Sequence, residues 1–285
     1  MTAQPKSYVT LFLLAPMAIW MAIFLIMPLL VLLVYSFGEL APMGGYKPAF
    51  TLAQYANLTT RFAAFKNKMV LAPAGTLCAV IIAYPMAYYL ARKVSPKRRL
   101  MWLTLIIVPF WTSLLIRTYA WMFILGGRGI PAWLQYIGID DFRILNTPTA
   151  VLIGIVYVYL PLMLFPIFVS LEKLDGSLLE ASSDLGASPI KTFLQVTLPM
   201  SLPGVATGCM LVFILLMGEF IIPAFLGGGK VFFIGNALVD LFLQSRNWPF
   251  GAAVAVTLVV IMLIVVSLYM KLVFKSTKTQ DVSMI

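Results

Sequence analysis

Residues 171–199 read LEKLDGSLLEASSDLGASPIKTFLQVTLP, a polar stretch set between two long apolar runs at 150–171 and 203–226. Its local chemistry predicts a helix, a break and a second helix. Ser177 is a candidate N-cap, and Glu180 three residues later completes a capping box. Leu178, Leu179 and Leu185 give the short helix an apolar side, and Gly186 permits the left-handed backbone that ends it. Ser188-Pro189 opens the second helix, with Pro189 in the first turn, where its missing N–H costs little. Phe193, Val196 and Leu198 form that helix's expected buried face, and Pro199 leads into the next apolar run. The first helix is net acidic, whereas helices lying in a lipid interface are usually basic, so a protein partner is expected for it.

On both sides the chain is dominated by apolar runs, at 9–37, 69–91, 100–125, 150–171, 203–226 and 250–274. At about 1.5 Å per residue, each crosses a hydrocarbon core about 30 Å thick. Barrel strands would be about ten residues long and would alternate apolar with polar, which these runs do not. The first run is too long for a cleaved signal peptide, and Tyr35-Ser36-Phe37-Gly38-Glu39 offers no small-residue cleavage site, so a retained first helix is expected.

Composition agrees. The chain is 62% hydrophobic and 11% charged, against about 45–50% and about 25% for soluble domains. Its 285 residues leave room for six spans and no sizeable soluble domain. The net charge of +10 sits mostly in loops beside apolar runs, which points to membrane topology rather than nucleic acid. There is no histidine, so the commonest metal ligand and general base is missing; Cys78 and Cys209 lie within apolar runs and read as packing residues. Neither a metal site nor catalytic residues are expected.

Arg92, Lys93, Lys97, Arg98 and Arg99 crowd the short link between the second and third runs, which is therefore expected in the cytoplasm. Lys271, Lys275 and Lys278 place the C-terminus on the same side, and six spans then put the N-terminus there with Lys6. The first outer loop runs against this rule, since it holds Lys47, Arg61, Lys66 and Lys68, with Ala41 to Pro48 as irregular surface. Pro16, Pro28, Pro85, Pro109, Pro161, Pro166 and Pro223 punctuate the spans, either as tolerated residues or as marks of broken helices lining a path.

Arg117 and Glu219 fall inside apolar runs, at a cost of about 2.5–3.5 kcal/mol for a charge at mid-bilayer, so each must face protein or water. Counting along the helices puts both about 10–12 Å below the outer surface. Two readings follow: they pair with each other or with a sister subunit, or Glu219 attracts a cationic solute. Pro223 has no N–H, so the Glu219 carbonyl lacks its usual helical partner and joins the carboxylate in one negative spot. An ammonium group suits that spot, as do the aromatic faces of Tyr157 and Tyr159, with Trp111 and Tyr119 as weaker candidates. Asp240, beyond the flexible Gly227-Gly228-Gly229, is expected to be solvated, with contact to an external binding protein as the alternative.

Glu180-Ala181, three residues, then Leu185-Gly186-Ala187, followed by Phe193 and Leu198-Pro199, resembles the EAA loop of ABC-importer permeases. The family often has Ala-Ala after Glu; here Ser182 follows Ala181 and keeps the small size. The resemblance implies an all-α type I (MetI-like) permease fold of six transmembrane helices with both termini cytoplasmic. It divides the chain into a first helix and outer loop at 1–65, a permease core at 66–271 with a coupling loop at 172–202, and a tail at 272–285. In that family the short helix docks in a cleft of the ATPase, which assigns ATPase coupling to Glu180, Ala181, Asp184, Leu185, Gly186 and Ala187.

The segments at 108–119, 171–175, 218–223 and 247–251 are similar to spermidine/putrescine permeases, a branch that also includes opine and aminophosphonate permeases. The implied partners are an ABC ATPase dimer carrying ATP and magnesium, a second homologous permease, a periplasmic solute-binding protein and the lipid of the bacterial inner membrane. An ion-coupled carrier would need several intramembrane carboxylates and a longer inverted repeat. An enzyme would need paired acids or a nucleophile beside a base, and ATP hydrolysis a Gly-rich phosphate loop; the chain has none of these.

Overall fold

The computed structural model describes residues 7–140 and 142–282, with side chains from residue 12 to 272. Lys6, Lys275 and Lys278 lie outside the described side chains. Among the described residues five helices are long and apolar enough to cross a membrane, and a bent pair makes a sixth crossing if counted as one. The first crossing, α1, covers Phe12–Ser36 with a π turn at Ala22–Ile26. A small hairpin follows, β1 (Glu39–Leu40) against β2 (Tyr46–Lys47), where an irregular loop was expected. Helix α2 (Ala53–Arg92) passes a 3₁₀ turn at Asn57–Arg61 and then runs without interruption through Pro73 and Pro85.

The third apolar run differs from the single helix expected. Helix α3 (Pro96–Ile107) tightens into a 3₁₀ turn at Val108–Trp111, and the segment Leu114–Tyr136, which opens with α4 (Leu114–Leu125), leaves it at 94°. Pro109 removes a donor, Thr112 is extended, and the Thr112 hydroxyl caps the Pro109 carbonyl at 2.6 Å. Short α5 (Ile130–Tyr136) precedes α6 (Pro148–Glu172), where Pro161 and Pro166 leave the helix intact.

After α7 (Gly176–Asp184), the second helix of the polar stretch does not stop before the next span. It continues through a π turn at Phe193–Thr197 as one helix, α8 (Pro189–Gly218). The fifth run also breaks: α8 ends at Gly218, and α9 (Ile221–Leu226) starts anew after an extended Glu219. Helices α10 (Ile234–Gln244) and α11 (Trp248–Val282) complete the order. Of the seven prolines singled out, only Pro109 and Pro223 adjoin these two breaks.

The chain forms two compact units. One holds the residues up to Phe62 with Ala237–Ile261. In it Tyr35 stacks on Tyr46 at 4.3 Å, Ser36 meets the Tyr55 hydroxyl at 2.7 Å, and Arg61 pairs with Asp240 at 3.1 Å. Asp240 is thus a half-buried ion-pair partner, not the solvated residue expected. The other unit holds Ala63–Asn236 with the chain after Ile261. Its centre is α6 against α8, brought close by small residues: a Cβ added at Gly208 would meet the Met163 sulfur at 2.8 Å. Val151, Ile155, Met163, Leu164, Ile167 and Leu171 line the buried side of α6.

Candidate functional site

Two places in the second unit concentrate polar chemistry. The first is the α7 loop. The N-cap is Asp175 rather than Ser177: its carboxylate accepts the Ser177 N–H at 3.0 Å. Asp175 is extended while Gly176 already turns, so the helix begins two residues earlier than the capping box suggests. Accepting that N–H holds the Asp175 carboxyl below its ordinary range. At the other end, Gly186 takes φ +76°. Its N–H reaches the Ser183 carbonyl at 2.9 Å and that of Ala187 the Ser182 carbonyl at 3.1 Å, the Schellman closure that needs a left-handed residue. Ser188 caps α8 by accepting the Lys191 N–H, and Ser182 meets Thr192 at 2.9 Å across the turn.

No residue of α7 is buried. Glu180, Ala181, Asp184 and Gly186 are exposed and Ala187 is half-buried. Leu185 is 88% exposed and Ile190 73%, so the turn carries an apolar tip that no described residue covers. The expected buried face of the second helix is half-buried, and Phe193 sits edge-on to Tyr84 and Tyr88, 5.8 Å from each ring.

The root of α7, by contrast, is held fast. Arg92 donates to the Leu174 carbonyl at 2.7 Å. Arg99 donates to the Glu172 carboxylate at 2.6 Å and to the Ala91 carbonyl at 2.8 Å. Two members of the basic cluster from Arg92 to Arg99 therefore clamp the segment from which α7 projects. Sequence reasoning missed this role, because charge counting assigns such arginines to a side of the membrane and not to a partner.

The second place is the break between α8 and α9. Glu219 is 5% exposed. One carboxylate oxygen accepts the Tyr159 hydroxyl at 2.6 Å; the other caps α9, taking the N–H of Ile221 at 2.7 Å and of Ile222 at 3.1 Å. The carbonyl that Pro223 leaves without a helical donor is taken by the Lys68 Nζ at 2.8 Å. Lys68 is fully buried, with its Nζ 4.6 Å over the Phe233 ring. It is a residue of α2 and not of an outer loop, as expected from sequence. The next carbonyl, of Phe220, accepts from the Asn236 amide at 2.8 Å, and Gly235 lets the backbone lie directly on Glu219, where a Cβ would stand 3.0 Å from the carbonyl oxygen. The Glu219 carbonyl freed by the break therefore finds a side-chain partner, as buried backbone requires.

The other sequence-derived candidates separate from this knot. No ion pair joins Arg117 to Glu219 among the described residues. Arg117 lies 4.7 Å from the Phe110 ring, and its Nε and Nη1 are buried without a hydrogen-bond partner among the described residues. Tyr157 stands edge-on to Trp121 at 5.4 Å, Tyr119 packs on Phe225 at 4.8 Å, and Trp111 is exposed. Of the aromatic candidates, Tyr159 is the one bonded to Glu219.

The family described as binding-protein-dependent transport system inner membrane component matches residues 75–278. The spermidine/putrescine transport system permease protein PotB of Salmonella typhimurium LT2 is 40% identical over 255 residues, covering 88% of this chain and 88% of that protein. Its namesake in Escherichia coli K12 is 39% identical, covering 88% and 92%. Among solved structures, a bacterial alginate ABC transporter in complex with an alginate-pentasaccharide-bound periplasmic protein superposes with a TM-score of 0.74 at 18% identity, covering 92% of both chains.

Proposed function

The chain belongs to the family of binding-protein-dependent transport system inner membrane components, and from that premise we propose that it imports a small polyamine of the spermidine or putrescine kind. It is a multi-pass permease subunit of an ABC importer of the bacterial inner membrane. The observation that carries the solute is the extent of the likeness: 40% identity over 88% of both chains with a permease named for spermidine and putrescine.

On this reading α7 is the coupling helix. Its exposed tip at Leu185 inserts into a cleft of a separate ATPase, which holds ATP and magnesium, while Glu180, Ala181, Asp184, Gly186 and Ala187 shape the contact. This chain performs no chemistry. A second permease completes the pore, and a periplasmic binding protein delivers the solute. ATP closes the ATPase dimer, α7 is carried along, and the helices reopen outward by alternating access.

Both termini and α7 then face the cytoplasm, with the α8–α9 break in the outer half. The basic link from Arg92 to Arg99 supports this side for α7. The basic residues of the opposite loop weigh little against it: Lys47 pairs with Glu39 at 2.9 Å, Arg61 with Asp240, and Lys68 is buried at Glu219.

The test is ATP hydrolysis by the assembled complex with its binding protein, given spermidine, putrescine or 2-aminoethylphosphonate in turn. Stimulation by the polyamines alone is expected. Stimulation by the aminophosphonate alone would assign the chain to that solute instead.

A further inference from the structure

A broken helix exposes carbonyl oxygens, and a buried carbonyl without a donor is costly. At the α8–α9 break the Glu219 carbonyl is freed twice over, by the end of α8 and by the missing N–H of Pro223. Around it lie the Phe233 ring, the Gly235 backbone and, on the same residue, a carboxylate held by Tyr159 and the first turn of α9. A carbonyl acceptor and an aromatic face in a dry place, with a carboxylate on the same residue, are what a primary ammonium group selects; the Lys68 amine touches the first two and makes no salt bridge to the third. The group found there belongs to Lys68, whose side chain is a four-carbon aminoalkyl arm and is fully buried.

We infer that the α8–α9 break is a binding site for a primary ammonium group, which Lys68 fills from within the chain. Two consequences follow. Lys68 takes the Glu219 carbonyl while Tyr159 and the first turn of α9 take both carboxylate oxygens, so Glu219 does not act as a free anion drawing cations inward. The end of a polyamine has the same aminoalkyl chemistry as the lysine arm, so it gains this site only by displacing Lys68. The site thus stands closed to solute while the break is pinned to α2. The second consequence rests on the polyamine reading above; the site itself does not.

Lys68→Ala deletes three methylenes and the amine, which together make n-propylamine. The complex carrying Lys68→Ala, reconstituted with its ATPase, second permease and binding protein, is compared with Lys68→Met, which keeps all but the last atom of the arm and loses the donor. Loss of one buried charged donor is expected to slow solute-stimulated ATP hydrolysis about tenfold in both. n-Propylamine should restore most of the rate to Lys68→Ala and none to Lys68→Met, where the cavity is filled; tetramethylammonium, which cannot donate, should restore neither.

Wild-type rates in Lys68→Met, or a folded Lys68→Ala complex indifferent to n-propylamine, would overturn the inference. If Lys68→Ala fails to assemble, purification with n-propylamine present should recover it. Failure to recover, beside a Lys68→Met complex that works normally, would overturn the inference too. A wild-type complex that ignores polyamines would refute the proposed solute and leave the amine rescue to be judged by itself.

Discussion

Arg99 donates from Nη1 to the Glu172 carboxylate at 2.6 Å and from Nη2 to the Ala91 carbonyl at 2.8 Å, so one guanidinium ties the end of α2, the start of α3 and the end of α6. Displacement of α7 is therefore felt by three helices at once. The arginine side chain is 19% exposed and the glutamate 45%, so the pair itself contributes little to stability, about 0.2–1 kcal/mol. Removing Arg99 also orphans a backbone carbonyl, at about 1–3 kcal/mol. Glu172→Gln should leave the thermal midpoint nearly unchanged yet raise the ATP hydrolysed per solute imported. Arg99→Ala should do both harms, and Arg99→Lys should recover part of the coupling. An unaltered coupling ratio in Arg99→Ala would remove the clamp from the mechanism.

Gly186 sits at φ +76° with open space beside its Cα, so a side chain there is strained by backbone and not by crowding. Gly186→Val should cost about 1–2 kcal/mol locally and unravel the Schellman turn. Insertion into the membrane should persist, and solute-stimulated ATP hydrolysis should fall by an order of magnitude or more. Leu185→Asp tests the same tip without touching the backbone. At 88% exposure the change should leave folding intact and weaken retention of the ATPase during purification.

Asp175 gives the loop a pH dependence of known sign. Its carboxyl is held below the ordinary range by the Ser177 N–H, so its contribution to α7 is present above the unfolded carboxyl pKa and is lost as pH falls through the lower folded value. Asparagine caps a helix about as well and does not titrate there. The coupling ratio of the wild type should worsen in acid while that of Asp175→Asn stays flat, in a pH series of the reconstituted complex. Parallel profiles would show that the cap is not the titrating group.

Tyr159 and Glu219 should behave as one unit. The hydroxyl-to-carboxylate bond is buried, and bonds to charged groups are worth about 1.5–3 kcal/mol. Tyr159→Phe and Glu219→Gln should each lower the thermal midpoint, and the double variant should lose less than the sum. Strict additivity in that cycle would mean the contact is not energetically coupled.

The parts legible in the sequence were those decided within a few residues. Gly186 and Ser188-Pro189 announced the turn because backbone sterics alone select them. The freed Glu219 carbonyl was visible from Pro223, and so was its appetite for an ammonium group. Hidden was where that group comes from: Lys68 stands at the edge of an apolar run, where a buried lysine and a loop lysine look alike, and its partner lies 151 residues away. Asp175 and Ser177 are both competent caps, and local pattern could not choose between them. The 94° bend after Pro109 was masked by unbroken hydrophobicity, which reports solvent and not direction.

The most direct test of the account is uptake of labelled putrescine into proteoliposomes holding this chain with its ATPase, second permease and binding protein. Accumulation that requires ATP and collapses in Gly186→Val is the predicted result. Accumulation that proceeds without ATP, or that survives Gly186→Val undiminished, would contradict it.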